Sequence, residues 1–288
     1  MELTRHTSGT ATLTIPSEFT QKLDVLLTSD IHFDSILCDI KLFEKHLKLA
    51  EELQAPVIIA GDFFDAMQSK DDPRRSPEEL KEKYKVSHYL DAIVLDASDF
   101  LRQFKVPYYI IALGNHETAV LRKLGTNLCD RLAYDLRLHD VKAESMGYWA
   151  YIFFNFVYKK GNSYTSRTLY LDHGNGKSAA VTHGIIDVNR QSTWQHEADI
   201  VLNGHNHKSL IYPQPIERIK QKSKTPYNDI VWYLRTPGYK MSPGESLQTF
   251  GFGAEKYRSP TPKGCTILSL EYNKKQDWVS MEPTPKIS

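Results

Sequence analysis

Four short clusters of carboxylate, imidazole and amide side chains stand out in the chain. "TSDIHFD" carries Asp30 and His32, "IAGDFFD" carries Asp62 and Asp65, "ALGNHE" carries Asn115, His116 and Glu117, and "LNGHNH" carries His205 and His207. Asp-x-His and His-x-His use the period of two of extended chain, which points both side chains the same way. One polar residue at a strand end is ordinary loop chemistry. Four such ends mixing carboxylates with imidazoles are costly to pack together unless a cation compensates them. Nitrogen and oxygen donors without thiolate suit Mn²⁺ first, with Fe, Zn²⁺, Ni²⁺ or Mg²⁺ as other options, ahead of Ca²⁺ or a Cys-rich zinc site. So many donors fit two divalent ions better than one, and such a pair clamps a phosphoryl group for in-line attack by water.

"LDHGNGKSAAVTHG" adds two His-Gly pairs, at His173 and His183. Leu169, Leu171 and His173 share one face of a strand that stops at "GNG", so His173 is terminal, as the other clusters are. His183 keeps apolar neighbours on both sides. It is read as facing substrate or as a polar residue beside the loop.

The elements that must position these groups follow from hydrophobic period. "TATLTI" alternates as a strand, and "LDVLLTSD", "APVIIAGD", "VPYYIIALGNHE" and "EADIVLNGHNH" are apolar runs ending in polar residues, as buried strands do. "CDIKLFEKHLKLAEEL" spaces Ile40, Phe43, Leu47 and Leu49 as a helical face. Residues 66–76 read as a loop. A second helix is expected from Ser76 as N-cap, with Pro77 at its first position and Glu79 completing the cap. Residues 149–173 read as a hairpin. Beyond Tyr212 the prolines predict loops and short strands. Strands alternating with helices argue for paired α/β layers, with the clusters converging at strand C-termini.

Composition is that of an ordinary globular chain: 288 residues, 41% hydrophobic, with 36 basic and 35 acidic side chains. The charge balance does not announce a nucleic-acid binder. Cys38, Cys129 and Cys265 show no CxxC spacing and are expected to be buried thiols of a cytoplasmic protein. Neither an export signal nor an apolar run long enough for a membrane span is visible, so no membrane partner is expected.

In these residues the chain resembles the calcineurin-like metallophosphoesterases, through Asp30-Ile-His32, Gly61-Asp62-Phe-Phe-Asp65, Gly114-Asn115-His116-Glu117 and Gly204-His205-Asn-His207, in that order. Softer signatures, "GDFFDAMQSKDDPRRS", "DHGNGKSAAVTHGIIDVNRQ" and "LRTPGYK", are similar to phage-encoded members related to double-strand-break repair nucleases. The resemblance implies a four-layer α/β/β/α sandwich with its site at the strand C-termini. It implies one domain over residues 1–288, with a core at about 24–210 and a C-terminal part, 211–288, completing the sandwich and the substrate wall. It further implies one metal on Asp30, His32, Asp62 and His207. The second would rest on Asp62, Asn115, His205 and a lone His whose family spacing suits His173 rather than His183. His116 would be the general acid, with Asp65 orienting it, although Asp65 as a helix N-cap is an alternative. A prokaryotic or phage-infected cytoplasm is implied too, with a dimer one allowed state.

The motifs specify phosphoester hydrolysis and leave the substrate open. Arg74 and Arg75, the run "ERIKQKSK" and the rings of Tyr84, Tyr89 and Trp194 favour a DNA phosphodiesterase. Lys177 and His183 lie where they could touch its phosphate. A small-molecule or nucleotide phosphodiesterase or phosphatase is the alternative, and a non-catalytic binding module a remote one.

Overall fold

The computed structural model describes residues 1–17, 20–66, 77–158, 164–174, 184–220, 223–241, 245 and 260–288. Two mixed sheets lie face to face. The first holds, in order, β1 (Glu2–Thr7), β2 (Thr10–Ser17), β7 (Trp149–Tyr158), β8 (Tyr164–Asp172), β9 (Ile200–Asn203), β11 (Thr225–Arg235) and β10 (Leu210–Lys220). The second holds β13 (Trp278–Ile287), β12 (Gly264–Asn273), β3 (Thr20–Thr28), β4 (Val57–Ile59), β5 (Tyr109–Ala112) and β6 (Ala143–Met146).

Strand period explains the layers. On β3, Val25 and Leu27 join Ile58, Ile110, Phe154, Leu171 and Leu202 between the sheets. Leu26, Val57, Ile59 and Ile111 face the other way, onto α1 (Ile40–Glu52), α2 (Tyr89–Leu101) and α4 (Leu128–Leu138), where Phe43, Leu47, Ile93 and Leu132 pack. The outer face of the first sheet presents Tyr170, Val201 and Tyr233 to Val188 of α5 (Ile185–Ser192). The order is helix, sheet, sheet, helix, as the apolar runs predict for strands covered on both faces. None of the described helices is long and apolar enough to cross a membrane.

Strands β3, β4 and β5 run parallel, as do β8, β9 and β11, so their C-termini open on one edge. Beyond those ends the loops continue to pair. Asp30 N donates to Gly61 O at 2.9 Å, His32 N to Asp62 O at 3.1 Å and Phe33 N to Phe63 O at 2.8 Å.

Two elements depart from the sequence expectation. No helix runs on from Pro77: short turns at Pro77–Glu79 and Glu82–Tyr84 precede α2. Tertiary bonds take over the backbone there, because Ile36 N donates to Glu79 O and Lys81 N to Asp34 O. Ser76 itself lies outside the described residues. Of the prolines after Tyr212, Pro237, Pro260 and Pro262 do lie in loops, but Pro213, Pro215 and Pro226 lie within 11-residue strands rather than breaking the chain. Pro213 and Pro215 share one parity of β10, and Pro283 and Pro285 one parity of β13. Both are edge strands, where a missing N–H can face the side without a partner.

Candidate metal centre

The loops that end β3, β4 and β9 are folded against conformational preference. Asp30, His32, Asp62 and His207 each have φ of 51° and His205 has 69°, in the left-handed region. Asp and His enter that region more readily than most side chains, at a cost of about 1–3 kcal/mol per residue that surrounding structure must hold. Such strain in this many neighbouring polar residues marks a binding site rather than a packing element.

Three groups of donors result, and the third, His32, Asp65 and His116, shares His32 with the first. Ligand atoms of Asp30, His32 and His207 all lie within 4.8 Å of one another, and so do those of Asp62, His173 and His205. In the first group the rings of His32 and His207 stack with centroids 5.2 Å apart, and His207 Nε2 is 3.6 Å from Asp30 Oδ1. In the second, His173 Nε2 lies 3.1 Å from Asp62 Oδ2 and 3.2 Å from Asn115 Oδ1. His205 Nδ1 sits 2.7 Å from the same amide oxygen. Asn115 opens α3 (Asn115–Leu124), so helix geometry sets its direction. His173 Nδ1 is tied to Ala60 O at 2.7 Å, which fixes the ring and turns Nε2 inward.

Glycine is required where these loops cross. A Cβ on Gly114 would stand 2.1 Å from Asp62 Oδ1, and one on Gly61, at φ 90°, would meet His173 Nδ1 at 2.5 Å.

Whether these residues suit a cation can be judged from their unmet valences. Asp30 Oδ1 and His32 Nε2 are buried without a hydrogen-bond partner among the described residues. Both belong to the first group: with His32 Nδ1 donating to the Asp65 carboxylate, the neutral ring offers an Nε2 lone pair, which together with an acceptor oxygen is a good ligand pair. The other Asp30 oxygen accepts from His205 N at 2.9 Å and from Ser29 Oγ, which also meets Thr236 Oγ1 at 2.7 Å. Burial alone would lower the pKa of His173, but the Asp62 carboxylate outweighs it and pushes the imidazole up to about 10. A cation in the second group would take the place of that proton. The donor set therefore fits two divalent ions.

His116, in the third group, adjoins the other two. Its Nδ1 donates to Asp65 O at 2.5 Å, which leaves Nε2 as the titrating nitrogen, 3.7 Å from Asp62 Oδ2. With its side chain 15% exposed, it can be reached from outside. Burial lowers its pKa, against the pull of Asp62.

Asp65 is placed differently from the sequence expectation. Its carboxylate meets His32 Nδ1 at 2.8 Å and Lys240 Nζ at 3.5 Å, while His116 Nδ1 is 3.7 Å away. The backbone carbonyl, not the carboxylate, orients His116. Residues to which the sequence assigns no role also act here. Lys240 lies in the quoted "LRTPGYK", Asp34 closes "TSDIHFD" and Glu117 closes "ALGNHE".

The expected substrate contacts divide. Arg74, Arg75, Lys177 and His183 lie outside the described residues. The first half of "ERIKQKSK", Glu217 to Lys220, falls at the far end of the sheet: Leu210 pairs with Arg235 beside the site, whereas Lys220 pairs with Thr225; Gln221 and Lys222 lie outside the described residues. The 11 residues of β10 separate those ends by roughly 30 Å. Tyr84 is buried, with its hydroxyl on Asp96, and Tyr89 is half-buried, donating to Ala66 O at 3.1 Å. Trp194 is exposed against Tyr170. Beside Asn115 lies a groove of about 480 Å³ lined also by Thr118, Leu121, Arg122 and Tyr148.

A family model described as calcineurin-like phosphoesterase matches residues 23–235. No curated protein matches the chain significantly. Among solved structures, GAP50, the anchor in the inner membrane complex of Plasmodium, is similar at 12% identity and TM-score 0.41, over 93% of this chain and 89% of that one. A Thermotoga maritima protein solved by NMR is similar at 14% identity and TM-score 0.32, over 92% of this chain and 99% of that one.

Proposed function

The chain belongs to the calcineurin-like phosphoesterase family, and from that premise we propose that it is a two-metal phosphodiesterase acting on DNA, with Mn²⁺ as its metal. Metal-dependent phosphoester hydrolysis follows from the family. The observation that carries the assignment of roles is the convergence of two donor groups beside His116 Nε2. Asp30, His32, Asp62 and His207 would hold one cation, and Asp62, Asn115, His173 and His205 the other. When bound, the pair supplies Lewis acidity to a phosphoryl group and its attacking water.

The chain's own residues do the rest. Asp65 O holds one proton on His116 Nδ1, so in the imidazolium the second proton sits on Nε2, from which the leaving oxygen takes it up. Burial makes that Nε2–H a stronger acid than a free imidazolium. Asp65 itself restrains His32 through Nδ1 and leaves Nε2 facing the first group. The groove lined by Leu121, Arg122 and Tyr148 offers a cationic and aromatic wall along which a nucleic-acid strand can continue beyond the scissile bond.

The remoteness of Glu217 to Lys220 favours a second reading, a small nucleotide ester as substrate. Incubating the Mn²⁺-loaded protein with labelled single- and double-stranded DNA, bis(p-nitrophenyl) phosphate and p-nitrophenyl phosphate separates the two. DNA degradation lost in His116→Ala is the expected result. Activity confined to the small esters overturns the DNA assignment.

A further inference from the structure

The loop that carries Asp62 and Asp65 has Asp62 and Ala66 in left-handed conformation, at φ 51° and 49°. Its amides are gathered by two buried carboxylates from other motifs. Glu117 Oε2 accepts from Asp62 N at 3.2 Å, and Oε1 from Phe64 N at 2.9 Å. Asp34 Oδ1 accepts from Asp65 N at 2.6 Å, and Oδ2 from Ala66 N at 3.0 Å. Glu117 Oε2 also accepts from Gly114 N at 2.9 Å, tying this loop to the one that starts α3. Both side chains are fully buried, and neither belongs to the donor groups. Burying a carboxylate is costly unless hydrogen bonds satisfy it, and here backbone N–H groups do so on both oxygens.

The two carboxylates divide the loop between them. Glu117 holds its first half, around Asp62, and Asp34 its second half, around Asp65. The carbonyls between are held by His32 N and Phe33 N. A shift of either half would move the Asp62 carboxylate or the Asp65 carbonyl on which His116 rests.

We propose that Asp34 and Glu117 are positioning residues that clamp residues 62–66 from two sides, fixing Asp62 for metal binding and His116 for proton transfer. The functional half of this inference rests on the metal-dependent reading above, whereas the clamp itself can be tested without metal. Amide hydrogen exchange of the metal-free protein should show the amides of Asp62, Phe64, Asp65 and Ala66 protected like those of β4. Fast exchange at these amides overturns the clamp whatever the activity. Glu117→Gln should speed exchange at Asp62 and Phe64, and Asp34→Asn at Asp65 and Ala66. Each should weaken Mn²⁺ binding in equilibrium dialysis by about 10–100-fold, with kcat falling more than KM changes. Folded variants that keep wild-type Mn²⁺ affinity and kcat overturn the positioning role. If a variant does not fold, exchange in the wild-type protein decides. Wild-type protein that binds no Mn²⁺ overturns the metal reading and leaves exchange to judge the clamp.

Discussion

At the N-terminal end of β9, Arg167 Nη1 donates to Asp199 at 3.1 Å and to Asp229 at 2.8 Å, and Arg218 Nη2 donates to Asp199 at 2.9 Å. The remaining carboxylate oxygens accept from Thr168 N and Ile230 N, and the Arg167 guanidinium lies 4.0 Å over the Trp278 ring. None of these residues needs left-handed backbone. Past the other end of that strand, where His205 N meets Asp30 from the end of β3, Asp30 Oδ1 and His32 Nε2 have no hydrogen-bond partner among the described residues, and their backbone is strained. Both regions bury charge. One sets two guanidiniums against two carboxylates, as a structural ion cluster does, and its Arg167 Nη2 and Arg218 Nε, without a hydrogen-bond partner among the described residues, belong to cations already beside their counter-ions. The other sets carboxylates among imidazoles, and its unpartnered Asp30 Oδ1 and His32 Nε2 belong to one donor group.

Substitutions can break this contrast from either side. Asp62→Asn should abolish metal-dependent hydrolysis of bis(p-nitrophenyl) phosphate, since Asp62 stands between both donor groups; full activity would remove the basis for its role. His116→Gln should lower kcat by about 10²–10⁴-fold while the bound metal, measured by elemental analysis, stays the same. At the other end, Asp229→Asn should leave activity per folded molecule intact. It should cost about 3–5 kcal/mol in urea unfolding by stranding part of the cation pair; an activity loss without destabilisation would erase the distinction.

A smaller effect concerns His46, whose Nδ1 meets Tyr239 Oη at 2.8 Å and whose pKa burial lowers to about 4. Its folded value lies below its unfolded one. Above pH 6.5 its contribution is therefore intact, and it is lost as pH falls from there toward 4 because the unfolded chain binds the proton first. His46→Gln should flatten the stability profile over that window, by ~2 kcal/mol. A variant with the wild-type slope would show that His46 is not held neutral.

Much of the centre was legible from the sequence because its logic is local. Each donor cluster follows an apolar run that had to be a buried strand, and parallel strand ends converge, so Asp30, Asp62, Asn115, His173 and His205 could be brought together on paper. The layers were legible for the same reason, since residues such as Val25, Leu26 and Leu27 need apolar cover on both faces. Long-range partners were not legible. Nothing near Asp65 in sequence reveals that His32 takes its carboxylate, or that Asp34 and Glu117 gather the amides around it. The late start of α2 depends on bonds from Ile36 and Lys81, and the prolines of β10 are tolerated because that strand lies at an edge, which only topology shows.

The central claim is that the donor end of the sheets is completed by two cations. Metal equivalents retained after equilibrium dialysis against Mn²⁺ test it most directly, comparing wild type, His173→Ala and Asp229→Asn. The account predicts about two equivalents for wild type and for Asp229→Asn, and about one for His173→Ala. Wild-type protein that retains none, or His173→Ala that retains the full complement, would contradict it.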